Sequence, residues 1–270
     1  MISDQEQHTG QGLARWTRAA ALTLLSSAVA ASAQTPAISV QQAFDQATVA
    51  YEDAKWPEAL VAYTELEKRL TKPGRSLAIT RLRKGIVLQQ LRRYEESQAA
   101  LRDALPLLPA NDPSLTRDRY EGTLALAYSA EALHQPIAAI EAFAAAEPIV
   151  ADAPSRISAV IGQARIDTYL DPAQSVMLTN RAIAMSETFK ARDKRYAGQL
   201  YTLRGRALLN LGRYAEARAD LDKAVGLLGG LTMHVSASDL AARSDLAIAA
   251  LLAGDGLAAK KYLAYADRAR

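Results

Sequence analysis

Residues Tyr201–Leu228 read YTLRGRALLNLGRYAEARADLDKAVGLL. Leu203, Ala207, Leu208 and Leu211 recur every three to four residues, which puts them on one stripe of a helix. Ala217, Leu221 and Ala224 form a second such stripe after the turn Leu211-Gly212-Arg213-Tyr214. The stretch therefore predicts two amphipathic helices packed antiparallel. Gly205 and Ala217 lie twelve residues apart. They are the small residues that two closely crossing helices need at their contact, and Leu221 fills the space between pairs.

The same pattern recurs along the chain at intervals of 36 to 42 residues. Its first small position falls on Ala47, Gly85, Ala127, Gln163, Gly205 and Ala247. Twelve residues on stand Ala59, Ser97, Ala139, Ser175, Ala217 and Ala259. Four further on stand Tyr63, Leu101, Phe143, Thr179, Leu221 and Leu263, and three beyond those Leu66, Ala104, Ala146, Ala182, Ala224 and Ala266. Gln163 and Thr179 break two of these columns, which predicts a distorted fourth pair. Six helix pairs are expected over 40–70, 75–108, 119–150, 155–186, 196–228 and 238–270. Their turns are marked by Lys55-Trp56-Pro57, His134-Gln135-Pro136, Asp171-Pro172 and Gly254-Asp255-Gly256. The aromatics at the turn position, Trp56, Tyr94 and Tyr214, read as core residues.

This pattern resembles the tetratricopeptide repeat, whose helix–turn–helix carries a W-x2-L-G-x2-Y…A-x3-F…A-x4-P signature. Tyr201, Arg204-Gly205, Leu208, Leu211-Gly212, Tyr214, Ala217, Leu221 and Ala224 fall on it. The second copy matches through Lys84-Gly85, Leu88, Tyr94, Leu101, Ala104 and Pro109. The resemblance covers residues 40–270 and implies an all-α, right-handed superhelical solenoid. It also implies that first helices line a concave face, into which the residues one, four and five after each small residue point. On that basis the candidate groove contains Tyr51, Ile86, Gln89, Gln90, Tyr128, Glu131, Asp167, Arg206 and Asn210. The Lys/Asn arrangement with which some family members clamp a chaperone's carboxylate tail is missing, because Phe44 and Thr48 stand in its place.

Residues 1–33 are of a different kind. Arg15 and Arg18 precede the apolar run Ala19–Ala31, and Ala31-Ser32-Ala33 offers small residues where a signal peptidase reads them. These features predict a cleavable export signal cut between Ala33 and Gln34, followed by a linker over 34–39. The alternative is an uncleaved anchor, although the run is shorter than the roughly 20 apolar residues of a membrane-spanning helix. The expected location is the periplasm or the outside of the cell.

The 270-residue chain carries a net charge of +3 and no Cys, so thiol catalysis, disulfides and cysteine metal sites are excluded. His134 and His234 are a hundred residues apart in sequence, and neither has a second His at helical spacing. Gly226, Gly229 and Gly230 follow a helix rather than open one, so they do not form a phosphate loop. Glu95 and Glu96 diverge by about 100° on a helix and cannot act as a pair. No catalytic, metal or cofactor site is predicted, and the chain is not expected to be an enzyme.

From Lys68 to Arg93 there are nine Lys or Arg and no Asp or Glu. Arg75, Arg81, Arg83, Lys84, Arg92 and Arg93 are a candidate patch for an anionic envelope glycan or lipid. The other reading is a solvated face paired with acids of neighbouring helices. Nucleic acid is not an expected partner, because aromatics do not interleave with the basic residues. The leading expectation is an interaction scaffold that holds a protein or peptide in its groove. The alternative is a binder of anionic glycan or lipid.

Overall fold

The computed structural model describes residues 38–188, 194–228 and 237–268. The predicted export signal and His234 lie outside them. Val40–Arg270 forms one compact unit. Among the described residues there are twelve α-helices, three short 3-10 turns and no strand. They pair in chain order: α1 (Val40–Glu52) with α2 (Trp56–Arg69), α3 (Arg75–Gln90) with α4 (Tyr94–Ala104), and α5 (Thr116–Ala132) with α6 (Pro136–Ala146). The second three pairs are α7 (Ala153–Leu170) with α8 (Pro172–Thr188), α9 (Lys194–Asn210) with α10 (Tyr214–Leu228), and α11 (Ala237–Leu252) with α12 (Gly256–Arg268). Each second helix also packs on the next first helix, so the pairs stack in a row. No helix among the described residues is long and apolar enough to cross a membrane.

Five of the six turns share one construction. The residue seven places after the small position adopts positive φ: Ala54 (55°), Arg92 (61°), His134 (57°), Gly212 (73°) and Gly254 (83°). The left-handed residue lets the last carbonyls of the first helix be satisfied by the turn itself. In the fifth pair Arg213 N donates to Leu208 O at 2.9 Å and Gly212 N to Leu209 O at 3.0 Å. The same two bonds recur at Lys55 and Ala54, Arg93 and Arg92, Gln135 and His134, and Asp255 and Gly254. Three of these positions carry a side chain that resists positive φ by about 1–2 kcal/mol. Arg92 is exposed, so Arg92→Gly should raise stability by about 0.5–1 kcal/mol after the flexibility glycine adds to the unfolded chain. Urea denaturation checks this, and a loss of stability would mean the Arg92 side chain has a role of its own.

The fourth pair departs from this construction, and from the sequence register. There α7 runs on to Leu170, and Asp171 alone joins it to Pro172. Asp171 is extended (φ −141°) because a residue before proline avoids the helical region, and its carboxylate caps α8 through Gln174 N at 3.0 Å. The turn is thus shorter than the others, and the packing moves with it. The small position of α7 is Ala164, fully buried, rather than Gln163, which is only half-buried. Ser175 Oγ donates to Ala164 O at 2.9 Å, eleven residues back, whereas in the second pair Ser97 Oγ donates to Gly85 O at 2.8 Å, twelve back.

The predicted small and bulky columns otherwise meet as drawn. A Cβ on Gly205 would lie 2.6 Å from Leu221 Cγ, and one on Gly85 2.7 Å from Leu101 Cγ. Only glycine lets those leucines sit against the backbone. Thr179, though polar, is fully buried and satisfies its hydroxyl on Ser175 O at 2.7 Å. Leu263 is 52% exposed, since α12 has no described pair beyond it. Trp56, Tyr94 and Tyr214 are half-buried rather than core residues, because they lie at the mouth of the turns. Leu211, expected on the inner stripe, is exposed because α9 ends at Asn210. Burial is spread over successive clusters along the stack.

Candidate functional site

The first helices of the first three pairs enclose a cleft of about 690 Å³. Five groove candidates, Tyr51, Ile86, Gln89, Gln90 and Tyr128, line it together. Arg83, Trp56, Glu52, Ser114, Arg117, Asp118, Glu121, Leu124 and Ala125 complete the wall. The reading of residues one, four and five covers only the last turn of each first helix. Continuing the three-to-four spacing backwards from Tyr128 reaches Leu124, Glu121 and Arg117, so the signal for these was present in the sequence.

Arg83 is the central group of the cleft. Its side chain is 19% exposed, and its Nε donates to Asp118 Oδ1 while Nη1 donates to Thr48 Oγ1, both at 3.1 Å. The guanidinium carbon lies 5.6 Å from the Phe44 ring centre and 5.7 Å from that of Tyr51. Tyr51 meets Trp56 edge to face at 5.8 Å, and its hydroxyl donates to Glu121 Oε2 at 3.3 Å. Burial, and next the Glu121 carboxylate, push the Tyr51 hydroxyl well above the usual tyrosine range, so it stays a donor. Arg117 Nε donates to Glu121 Oε1 at 2.7 Å. Gln90 Nε2 donates to Gln89 Oε1 at 3.0 Å, which leaves the Gln89 amide nitrogen and the Gln90 amide oxygen for a ligand.

The remaining groove candidates stand elsewhere. Glu131 takes both prongs of Arg165 from the next first helix, with Nε at 2.9 Å. Arg206 and Arg165 border a shallower hollow of about 320 Å³ farther along the stack. Arg206 is bound to Asp245, whose carboxyl burial pushes up and Arg206 pulls partly back. Asn210 Nδ2 donates to Thr168 O at 2.6 Å.

Asp167 does not face the groove. The shifted register of the fourth pair turns it into the packing, where it is 5% exposed. In the other pairs the equivalent inner position carries Ala50, Leu88, Ala130, Leu208 and Ala250. Burial, then the Asp171 carboxylate, raise its pKa. A carboxyl whose pKa is higher folded than unfolded holds its proton longer in the native state. Its contribution to stability therefore falls as pH rises from the ordinary aspartate range through the raised folded value, and is level above that. Asp167→Ala should remove this fall and make the protein more stable at pH 7 by about 1 kcal/mol. Thermal melts from pH 3.5 to 7 decide it: an unchanged pH profile would show that Asp167 ionises freely.

Five of the six candidate anion-binding residues are each held by an acid. Arg81 and Lys84 both hold Glu67, at 2.8 and 3.0 Å. Burial opposes the Glu67 charge, but hydrogen bonds from Lys84 and Arg81 hold its carboxyl below the usual range. Arg75 holds Asp112 at 2.7 Å, Arg83 holds Asp118, and Arg93 holds Glu96 at 2.6 Å. Arg92 occupies the left-handed turn position. The acid-free run in sequence is neutralised in space by acids that precede and follow it. Among the described residues no group of three or more His, Asp or Glu is placed to hold a metal ion.

The tetratricopeptide-repeat family model matches residues 198–227. No curated protein matches the sequence. Among solved structures, BtubC (BKLC) from P. vanneervenii is similar with a TM-score of 0.61 at 14% identity, over 86% of this chain and 91% of that one. A protein of Podosopora anserina with nearly identical TPR-like repeats gives a TM-score of 0.57 at 20% identity, over 70% and 92%. A Rap protein complexed with competence and sporulation factor gives 0.55 at 15% identity, over 84% of this chain and 64% of that one. Residues 198–227 thus match a tetratricopeptide repeat, and the described helices share the fold of these repeat structures.

Proposed function

We propose that this protein is a non-enzymatic interaction scaffold of the bacterial cell envelope that holds a partner protein's extended segment in its concave face. The observation that carries the reading is the cleft of the first three pairs. Aromatic rings there flank the Gln89 and Gln90 amides, which bond one another and no other described residue. Such amides suit the alternating donors and acceptors of an extended backbone. The fold neighbour crystallised with competence and sporulation factor supports a peptide or protein as the occupant. The envelope location rests on Arg15, Arg18, the run Ala19–Ala31 and Ala31-Ser32-Ala33.

The test is affinity purification of the tagged chain from the periplasm, at low and high salt, with mass spectrometry. One protein retained at both salts and lost with the Gln89→Ala/Gln90→Ala double variant supports the reading. Absence of the chain from the periplasm overturns the location. Glycan or lipid released at high salt, with no protein retained, overturns the scaffold reading in favour of an anionic ligand.

A further inference from the structure

The cleft's own side chains satisfy one another almost completely, and what they leave over defines the ligand. Tyr51, Trp56 and Tyr128 present aromatic rings to it. Tyr51 already carries the Arg83 guanidinium at 5.7 Å, and Tyr128 carries that of Arg165 at 5.9 Å. Trp56 carries no cation among the described residues.

The carboxylates follow the same pattern. Asp118 is paired with Arg83, and Glu121 with Arg117 and the Tyr51 hydroxyl. Glu52 is exposed and has no partner among the described residues. Two guanidiniums against three carboxylates leave the lining with one unbalanced negative charge, although the whole chain is positive at +3. The vacant ring and the vacant carboxylate stand at the two ends of one turn, Glu52 closing α1 and Trp56 opening α2.

We infer that the cleft selects an extended peptide by a basic side chain, seated with its cation against the Trp56 ring and beside the Glu52 carboxylate, while the Gln89 and Gln90 amides hold the flanking backbone. The inference rests on the reading of the cleft as a peptide seat and adds its specificity. A ring face attracts a cation most strongly when the ring is tryptophan, and a neighbouring carboxylate adds to that attraction. An acidic side chain in the same place would be repelled by Glu52 and find no unpaired cation among the described lining residues.

The test is selection of a displayed library of random dodecapeptides on the full chain, beside the same selection on Glu52→Lys. Glu52 is exposed at a helix end, so the variant keeps its fold, which circular dichroism checks. The expected result is enrichment of Lys and Arg in the selected peptides, with the bias of basic over acidic residues reduced about tenfold in Glu52→Lys, equivalent to about 1.4 kcal/mol. Trp56→Phe should weaken the same bias. Peptides enriched without a basic preference, or a basic preference unchanged in Glu52→Lys, would overturn this inference and leave the peptide seat standing. No enrichment of any peptide would overturn both.

Discussion

Gly162→Val is expected to lower the unfolding free energy by about 3 kcal/mol, the upper end of what overpacking a filled interior costs. Gly162 lies on α7 where the third pair stacks on the fourth, and the Phe143 ring of α6 fills the space beside its Cα. A Cβ at Gly162 would stand 2.3, 2.5 and 2.6 Å from three atoms of that ring. The ring is fully buried and meets Tyr128 edge to face at 5.1 Å, so it has nowhere to retreat. Phe143→Ala by itself should cost about 3–5 kcal/mol through the cavity it opens. The two changes share one space, so the double variant should lose distinctly less than the sum of the single losses. Guanidinium denaturation of the four proteins measures the coupling. Additive losses would show that the ring and the glycine backbone do not meet in solution.

Arg204→Met should cost about 2 kcal/mol, and the reason lies in what it strands. Arg204 grips Asp220 with two hydrogen bonds of 2.6 Å, and its Nη1 reaches Asn180 Oδ1 at 2.7 Å. The side chains of Arg204 and Asp220 are 23% and 12% exposed. Removing the guanidinium leaves a mostly buried carboxylate without its counter-charge, which costs more than the pair itself contributes. Replacing both, Arg204→Met with Asp220→Leu, should therefore recover most of the loss. If the double variant is no better than Arg204→Met alone, the penalty comes from lost packing on the Tyr201 ring, 5.1 Å from the guanidinium, and not from the stranded acid.

The glycine joints of the stack differ in how far the sequence reveals them. Gly205 under Leu221 is visible in sequence because one repeat contains both residues at a fixed spacing. Gly162 under Phe143 joins neighbouring repeats across a variable loop, and within the fourth pair the small position falls on Ala164 rather than Gln163. The shift has a local cause, since Asp171-Pro172 ends α7 without a left-handed residue and shortens the turn. That one-residue difference rotated Asp167 from the groove into the packing. A repeat keeps its register only while its turns stay constant, and the short fourth turn breaks it.

The candidate site divides in the same way. Tyr51, Ile86, Gln89, Gln90 and Tyr128 follow from the repeat register, because the helix face that each occupies is set by spacing alone. Arg83 is different: as sequence it belongs to a basic run, and in space it is the hub of a cleft with Thr48, Phe44, Tyr51 and Asp118 around it. In pairs that join helices, such as Arg81 with Glu67 and Arg206 with Asp245, acid and base lie 14 and 39 residues apart.

The sequence by itself determined that the chain is a row of helix pairs, where most of their turns fall, and, outside the fourth pair, which side of the helices is buried. Those properties are periodic and local, and apolar spacing, proline and glycine encode them directly. Only the tertiary structure decided which charges cancel, where the fourth pair slips, and that among the described residues no cation sits on Trp56 and none pairs with Glu52. Charge pairing between helices depends on stacking distance and rotation, which no single repeat contains.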